Sequence, residues 1–135
     1  MDKYVYNSWE YPWVKADPPA ERFLRLILSP EVGSYEGATV LMSYIPPGST
    51  TGRHTHDSDE IMYVSGRGTG TVGDLENQLN TDAVIFAPRG VEHECRNTSQ
   101  TETLKLFCVY IPPLRLSPLL EQVVEKAREH LTGGC

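Results

Sequence analysis

Proline and glycine punctuate this chain at short intervals, and that spacing restricts its fold more than any other feature. The stops are Ser29-Pro30, Pro46-Pro47-Gly48, Gly66-Arg67-Gly68, Pro88-Arg89-Gly90 and Pro112-Pro113. Between and around them lie short runs rich in small, β-branched or apolar residues: 22–28, 37–45, 61–65, 69–72, 83–87, 91–96 and 103–111. Turn signals every eight to twelve residues or so, with strand-like runs between them, imply an antiparallel sandwich or barrel.

The tail has a different period. Ser117 can cap a helix and Pro118 suits its first position. Leu119, Leu120, Val123, Val124, Ala127 and Leu131 then recur on one helical face, and Gly133-Gly134 follows. This predicts a helix over 117–131, packed on the outside of the barrel or on a second subunit. At the other end, Trp9, Tyr11 and Trp13 alternate as an edge strand would, before the break at Asp17-Pro18-Pro19. Residues 1–20 are therefore expected to form an arm, 21–113 the barrel and 117–131 the helix of a single domain, a size in keeping with 135 residues.

Charge narrows the partners. A net charge of −6 and a pI near 5.1 disfavour nucleic acid and anionic lipid. The first residues carry no apolar signal core and no run reaches a membrane span, so a cytoplasmic protein is expected. Cys95, Cys108 and Cys135 are widely spaced, with no C-x-x-C pair, and are expected to be reduced thiols.

The chemistry-bearing residues follow the second and fourth stops. His54 and His56 are two apart, so on extended backbone both imidazoles leave one face. Glu60 follows shortly afterwards. After Pro88-Arg89-Gly90, His93 begins a short strand; if it lies beside residues 51–56, all four donors converge. Three neutral imidazoles and a carboxylate suit a divalent first-row ion, and six-fold coordination would leave two positions open. Three of the chain's four histidines stand at such positions, and His130 belongs to the tail. A closed structural site would be richer in sulfur.

These two stretches resemble the signature motifs of the cupin superfamily. Gly48, His54, His56 and Glu60 follow the spacing G-x5-H-x-H-x3-E, with Gly66 one residue early for the closing glycine. Pro88, Gly90, His93 and Asn97 follow P-x-G-x2-H-x3-N, with Asp82 where the leading glycine of that motif belongs. The resemblance implies an all-β double-stranded β-helix, a jelly-roll barrel, here with a short C-terminal α-helix. It also implies a homodimer and one divalent ion, iron, manganese, zinc, nickel or copper, held by His54, His56, Glu60 and His93. The implied function is a metal-dependent enzyme acting on a small organic molecule. Oxygenase chemistry comes first, then isomerase, lyase or decarboxylase. A non-catalytic binding or sensor protein is the alternative.

Other residues can be ranked by strand face. Met62 shares a face with Glu60, and Cys95 with His93, so both are candidates to line the pocket. Tyr44 and Tyr110 are further candidates. Tyr63, Arg96 and Arg53 should face away. A substrate carboxylate would call for an inward arginine, and none is identified. Gly68-Thr-Gly70-Thr-Val-Gly73 satisfies G-x-G-x-x-G, but no helix pattern follows it, so it reads as a hairpin rather than a dinucleotide site.

Overall fold

The computed structural model describes residues 4–133. Nine strands, β1 to β9, precede one α-helix, α1: Val14–Ala16, Arg22–Leu28, Thr39–Ile45, Asp59–Ser65, Gly68–Val72, Leu75–Leu79, Val84–Ala87, His93–Asn97, Leu104–Ile111 and Pro118–Gly133. They form a six-stranded sheet in the order β1-β2-β3-β9-β4-β7 and a three-stranded sheet in the order β6-β5-β8, and every pairing is antiparallel. No helix among the described residues is long and apolar enough to cross a membrane.

Alternation along the strands explains why the sheets enclose a core. In β3, Thr39, Leu41, Ser43 and Ile45 are buried, and the residues between them are half-exposed. In β9, Leu104, Leu106, Cys108 and Tyr110 turn inward. Their partners on β4 are Val64, Met62 and Glu60, which also point inward. One apolar layer therefore runs across the large sheet and faces the small one.

The strand predictions hold for β2, β3, β4, β5, β7, β8 and β9. The strand β6 was not legible, because Leu75 to Asn77 and Gln78 all face solvent and only Leu79 is buried. The glycine string is β5 and its turn, as expected of a hairpin: Gly73 has φ 58° and joins β5 to β6. Close approach explains Gly68, where a Cβ would lie 2.2 Å from the carbonyl oxygen of Arg96 on β8.

The arm differs from its expected form. Trp9 lies in a 3-10 turn, Ser8–Glu10, and the edge strand begins only at Val14. Tyr11 is buried, with its ring 4.6 Å from that of His130, and Trp9 and Trp13 are exposed. The helix starts as predicted: the Leu120 N–H donates to Ser117 Oγ at 3.2 Å. It packs on β1 and β2 of its own chain through Leu120, Val123, Val124 and Ala127. Leu131, expected on that face, is exposed.

The run 83–87 is apolar throughout but is not buried throughout. Ile85 and Ala87 face inward, whereas Val84 and Phe86 face out. Beside them on the outer surface lie Ile61 and Tyr63 of β4, then Phe107 of β9, all at least two-fifths exposed.

Candidate metal centre

Backbone hydrogen bonds bring the first motif to the second. After Ile45 the chain turns at Pro46-Pro47-Gly48, with the Ser49 N–H donating to Pro46 O at 3.0 Å. It then runs antiparallel to β8. The Asn97 N–H donates to Ser49 O at 2.9 Å, and the Thr51 N–H to Cys95 O at 2.9 Å. His54 and His93 form an isolated bridge at the end of this track. Gly90 N–H reaches His56 O at 3.0 Å, so the proline-glycine turn pins the second histidine. Asn97, fully buried, donates to the carbonyls of Ile45 and Glu102 at 2.8 Å each, tying β8 to the end of β3.

The four predicted donors come together. Ligand atoms of His54, His56, Glu60 and His93 all lie within 4.8 Å of one another. The ring centroids of His54 and His56 lie 4.4 Å and 4.9 Å from that of His93. Each imidazole is aimed by its other nitrogen. Nδ1 of His54 faces Gly52 O at 2.8 Å, that of His56 faces Ser58 O at 3.0 Å, and that of His93 faces Val91 O at 2.9 Å. A carbonyl only accepts, so each Nδ1 carries the proton and donates it. Nε2 is then left with a lone pair. Nε2 of His56 and of His93 nonetheless lie 2.9 Å and 3.1 Å from Glu60 Oε1. Lone pairs facing a carboxylate at that range require a cation between them, a proton or a metal ion. These residues fit a metal, since the backbone carbonyls have already set the tautomer and ring orientation that a ligand needs.

The electrostatics agree with that geometry. With a proton as that cation, burial raises the Glu60 carboxyl pKa, but hydrogen bonds from His56, His93 and Tyr110 outweigh it and hold the group at about 2. Burial opposes charge on His93 too, yet its contacts with Glu60 and the Val91 carbonyl leave its pKa raised. The pKa of His54 is lowered, chiefly by burial.

The donors open onto a cavity of 290 Å³ between the sheets. Of the four pocket candidates, Met62, Cys95 and Tyr110 line it. The ring of Tyr110 stands edge-on to that of His56 at 5.1 Å, and its hydroxyl meets Glu60. Burial and the Glu60 charge push the Tyr110 pKa well up, so the phenol keeps its proton. Burial likewise takes the Cys95 thiol up to about 12. Tyr44 does not belong to the cavity. It sits on the outward face of β3, because its neighbours Ser43 and Ile45 take the inward one. Its hydroxyl accepts from Arg25 Nη1 at 3.0 Å. Tyr63 and Arg96 face away as expected, and Arg53 reaches outward to Glu92 at 3.2 Å and Gly73 O at 2.8 Å.

Sequence reading missed Arg22, Ser43 and Cys108, which also line the cavity. Arg22 carried a usable signal: it alternates with Leu24 and Leu26, the inward residues of β2. The mouth is lined by Leu114 and Arg115, and Arg115 pairs across to Asp57 at 3.3 Å.

A family model described as "Cupin domain" matches residues 41–110. An uncharacterised protein of Streptomyces coelicolor is 36% identical over 67 residues, which cover 49% of this chain and 62% of that protein. The H2HPP isomerase of Bacillus subtilis is 33% identical over 79 residues, covering 56% of this chain and 34% of that protein. The chain thus spans less than two thirds of either relative. Among solved structures, one described as a predicted oxalate decarboxylase of Thermotoga maritima superposes with a TM-score of 0.73 at 25% identity, covering 81% of this chain and 99% of that one. An RmlC-like cupin of Shewanella frigidimarina superposes at 0.67 with 14% identity, covering 83% and 95%, a likeness of fold.

Proposed function

This chain belongs to the cupin family, and from that premise we propose that it is a metal-dependent enzyme acting on a small organic molecule. The observation that carries the reading is the approach of His56 Nε2 and His93 Nε2 to Glu60 Oε1, at 2.9 Å and 3.1 Å, beneath a partly apolar cavity. His54, His56, Glu60 and His93 would hold one divalent ion, which when bound supplies a Lewis acid able to polarise an oxygen-rich substrate.

The protein's own residues support redox-neutral chemistry, an isomerase, lyase or decarboxylase. Tyr110 keeps its proton beside Glu60, and its hydroxyl can donate a hydrogen bond to a substrate oxygen held there. Met62, Leu41 and Leu106 supply apolar walls that limit water around that proton. One relative is named an isomerase and one structure a predicted decarboxylase, which supports the same choice. Oxygenase chemistry, placed first on the sequence, is the second reading, since the same four donors suit iron.

The assembly we infer is a pair of identical chains. The outward row of Ile61, Tyr63, Val84, Phe86 and Phe107 is a continuous apolar sheet face, and burial against a second copy removes it from water.

Elemental analysis of untagged protein, followed by incubation of each metal form with small keto and hydroxy acids, tests the reading. Metal-dependent turnover without oxygen uptake is expected. Uptake of oxygen with iron bound would select the second reading. Ligand binding with no turnover in any metal form would make this a binding or sensor protein.

A further inference from the structure

One end of the cavity contains two polar groups that the metal centre does not use. Arg22 lines it from β2, and Ser43 lines it from the neighbouring β3. The register places Leu24 opposite Ser43, so Arg22 is one inward position further along the same strand. The Arg22 guanidinium makes one hydrogen bond, Nη1 to Ala20 O at 3.0 Å. Among the described residues it is in no ion pair. Its remaining N–H groups are free to donate in the fixed fork that matches a carboxylate. Ser43 is 4% exposed, and its Oγ has no hydrogen-bond partner among the described residues. A buried hydroxyl without a partner is destabilising, and a ligand acceptor would restore its hydrogen bond.

We propose that Arg22 and Ser43 form a carboxylate subsite, and that the substrate is a small organic acid with a separate pair of oxygen donors for the metal centre. This rests on the metal-dependent reading above and names its substrate class. Arg22 is half-buried, so an unpaired positive charge there is costly without an anion. The one carboxylate whose charge reaches it in the cavity, Glu60, is already engaged by His56 and His93. The walls between are apolar and neutral: Leu24, Leu41, Met62 and Leu106. A carbon chain with a carboxylate at one end and oxygen donors at the other matches that order of surfaces. The cavity size of 290 Å³ suits a molecule of this small class.

The test uses the full chain loaded with cobalt(II), with calorimetry and the visible absorption of the ion as readouts. Malate and 2-hydroxyglutarate carry a second carboxylate beyond a chelating 2-hydroxy acid; 2-hydroxybutanoate has a methyl group instead. The better diacid is expected to bind about ten-fold or more tightly than 2-hydroxybutanoate. Arg22→Gln should remove that preference while the chain still takes up cobalt. Arg22→Lys should keep part of it, and Ser43→Ala should lower diacid affinity a few-fold. Equal affinity for the mono- and diacids, or a preference that survives Arg22→Gln, overturns the subsite while tight cobalt binding leaves the metal centre standing. A metal-free arm covers the converse. Succinate bound by native protein and not by Arg22→Gln, in a chain that takes up no cobalt, upholds the subsite and overturns the metal reading.

Discussion

His54 and His93 exchange both backbone hydrogen bonds, His54 N–H to His93 O at 3.1 Å and His93 N–H to His54 O at 2.9 Å. The loop of the first motif thereby extends the small sheet beyond β8. Because the main chain makes this link, the side chains can be changed without undoing it. His93→Ala is expected to lower metal affinity beyond about 100-fold, the upper range for losing a supporting partner alone. His56→Ala should do the same. Both should keep the β-rich circular dichroism of the native chain. Full metal occupancy of either after dialysis would remove that residue from the ligand set.

The site makes metal-free stability depend on pH from both sides. The Glu60 pKa lies at about 2 in the folded chain against an ordinary 4.5, so its contribution is present above 4.5 and lost as pH falls through about 2. The His93 pKa is raised above 6.5, so its contribution is present below 6.5 and lost as pH rises through that higher folded value. Metal-free protein should therefore melt highest between these limits. Metal affinity should likewise weaken in acid, as protons compete for the imidazoles. Melting curves of native and Glu60→Gln protein across this range, with and without zinc, check both trends; in Glu60→Gln the acid arm should flatten.

Cys95 and Cys108 are buried, and burial raises both thiol pKa values, that of Cys95 to about 12. Thiols react as thiolates, so neither should alkylate at pH 8 in the folded chain. Peptide mass analysis after iodoacetamide should find both unmodified, and both modified in guanidinium. Fast labelling of Cys95 in the native chain would mean that the cavity wall opens.

Phe86 is 56% exposed on the edge strand of the outward apolar face, beside Ile61. Phe86→Glu is expected to shift the chain from dimer to monomer in sedimentation velocity, with little change in metal content. A native chain that sediments as a monomer at all concentrations would end the two-copy inference.

Asp82 stands at φ 80°, a left-handed conformation that glycine adopts without strain. Its carboxylate compensates by accepting from the Tyr63 hydroxyl. Asp82→Ala keeps the conformational cost and loses the contact, so it should be about 1 kcal/mol less stable than Asp82→Gly by urea unfolding. Equal stabilities would show that position 82 relaxes to an ordinary backbone.

The sequence by itself determined the antiparallel architecture, because turns at proline and glycine are local and alternation is read along a single strand. It also picked out the four candidate donors that the fold brings together, because H-x-H and the proline-glycine turn before His93 carry their spacing in the chain. Tertiary structure decided what depends on two strands meeting. Tyr44 and Ser43 are adjacent in sequence, and only the side of β3 that faces the small sheet put Ser43 in the cavity and Tyr44 outside. Arg22 looked like any strand-opening arginine until β2 was placed beside β3. The carbonyls of Gly52, Ser58 and Val91 that orient the rings could not be read, since a backbone oxygen leaves no trace in residue identity. The strand β6 escaped for a related reason: pairing with β5 holds it, while its side chains from Leu75 to Gln78 meet only water.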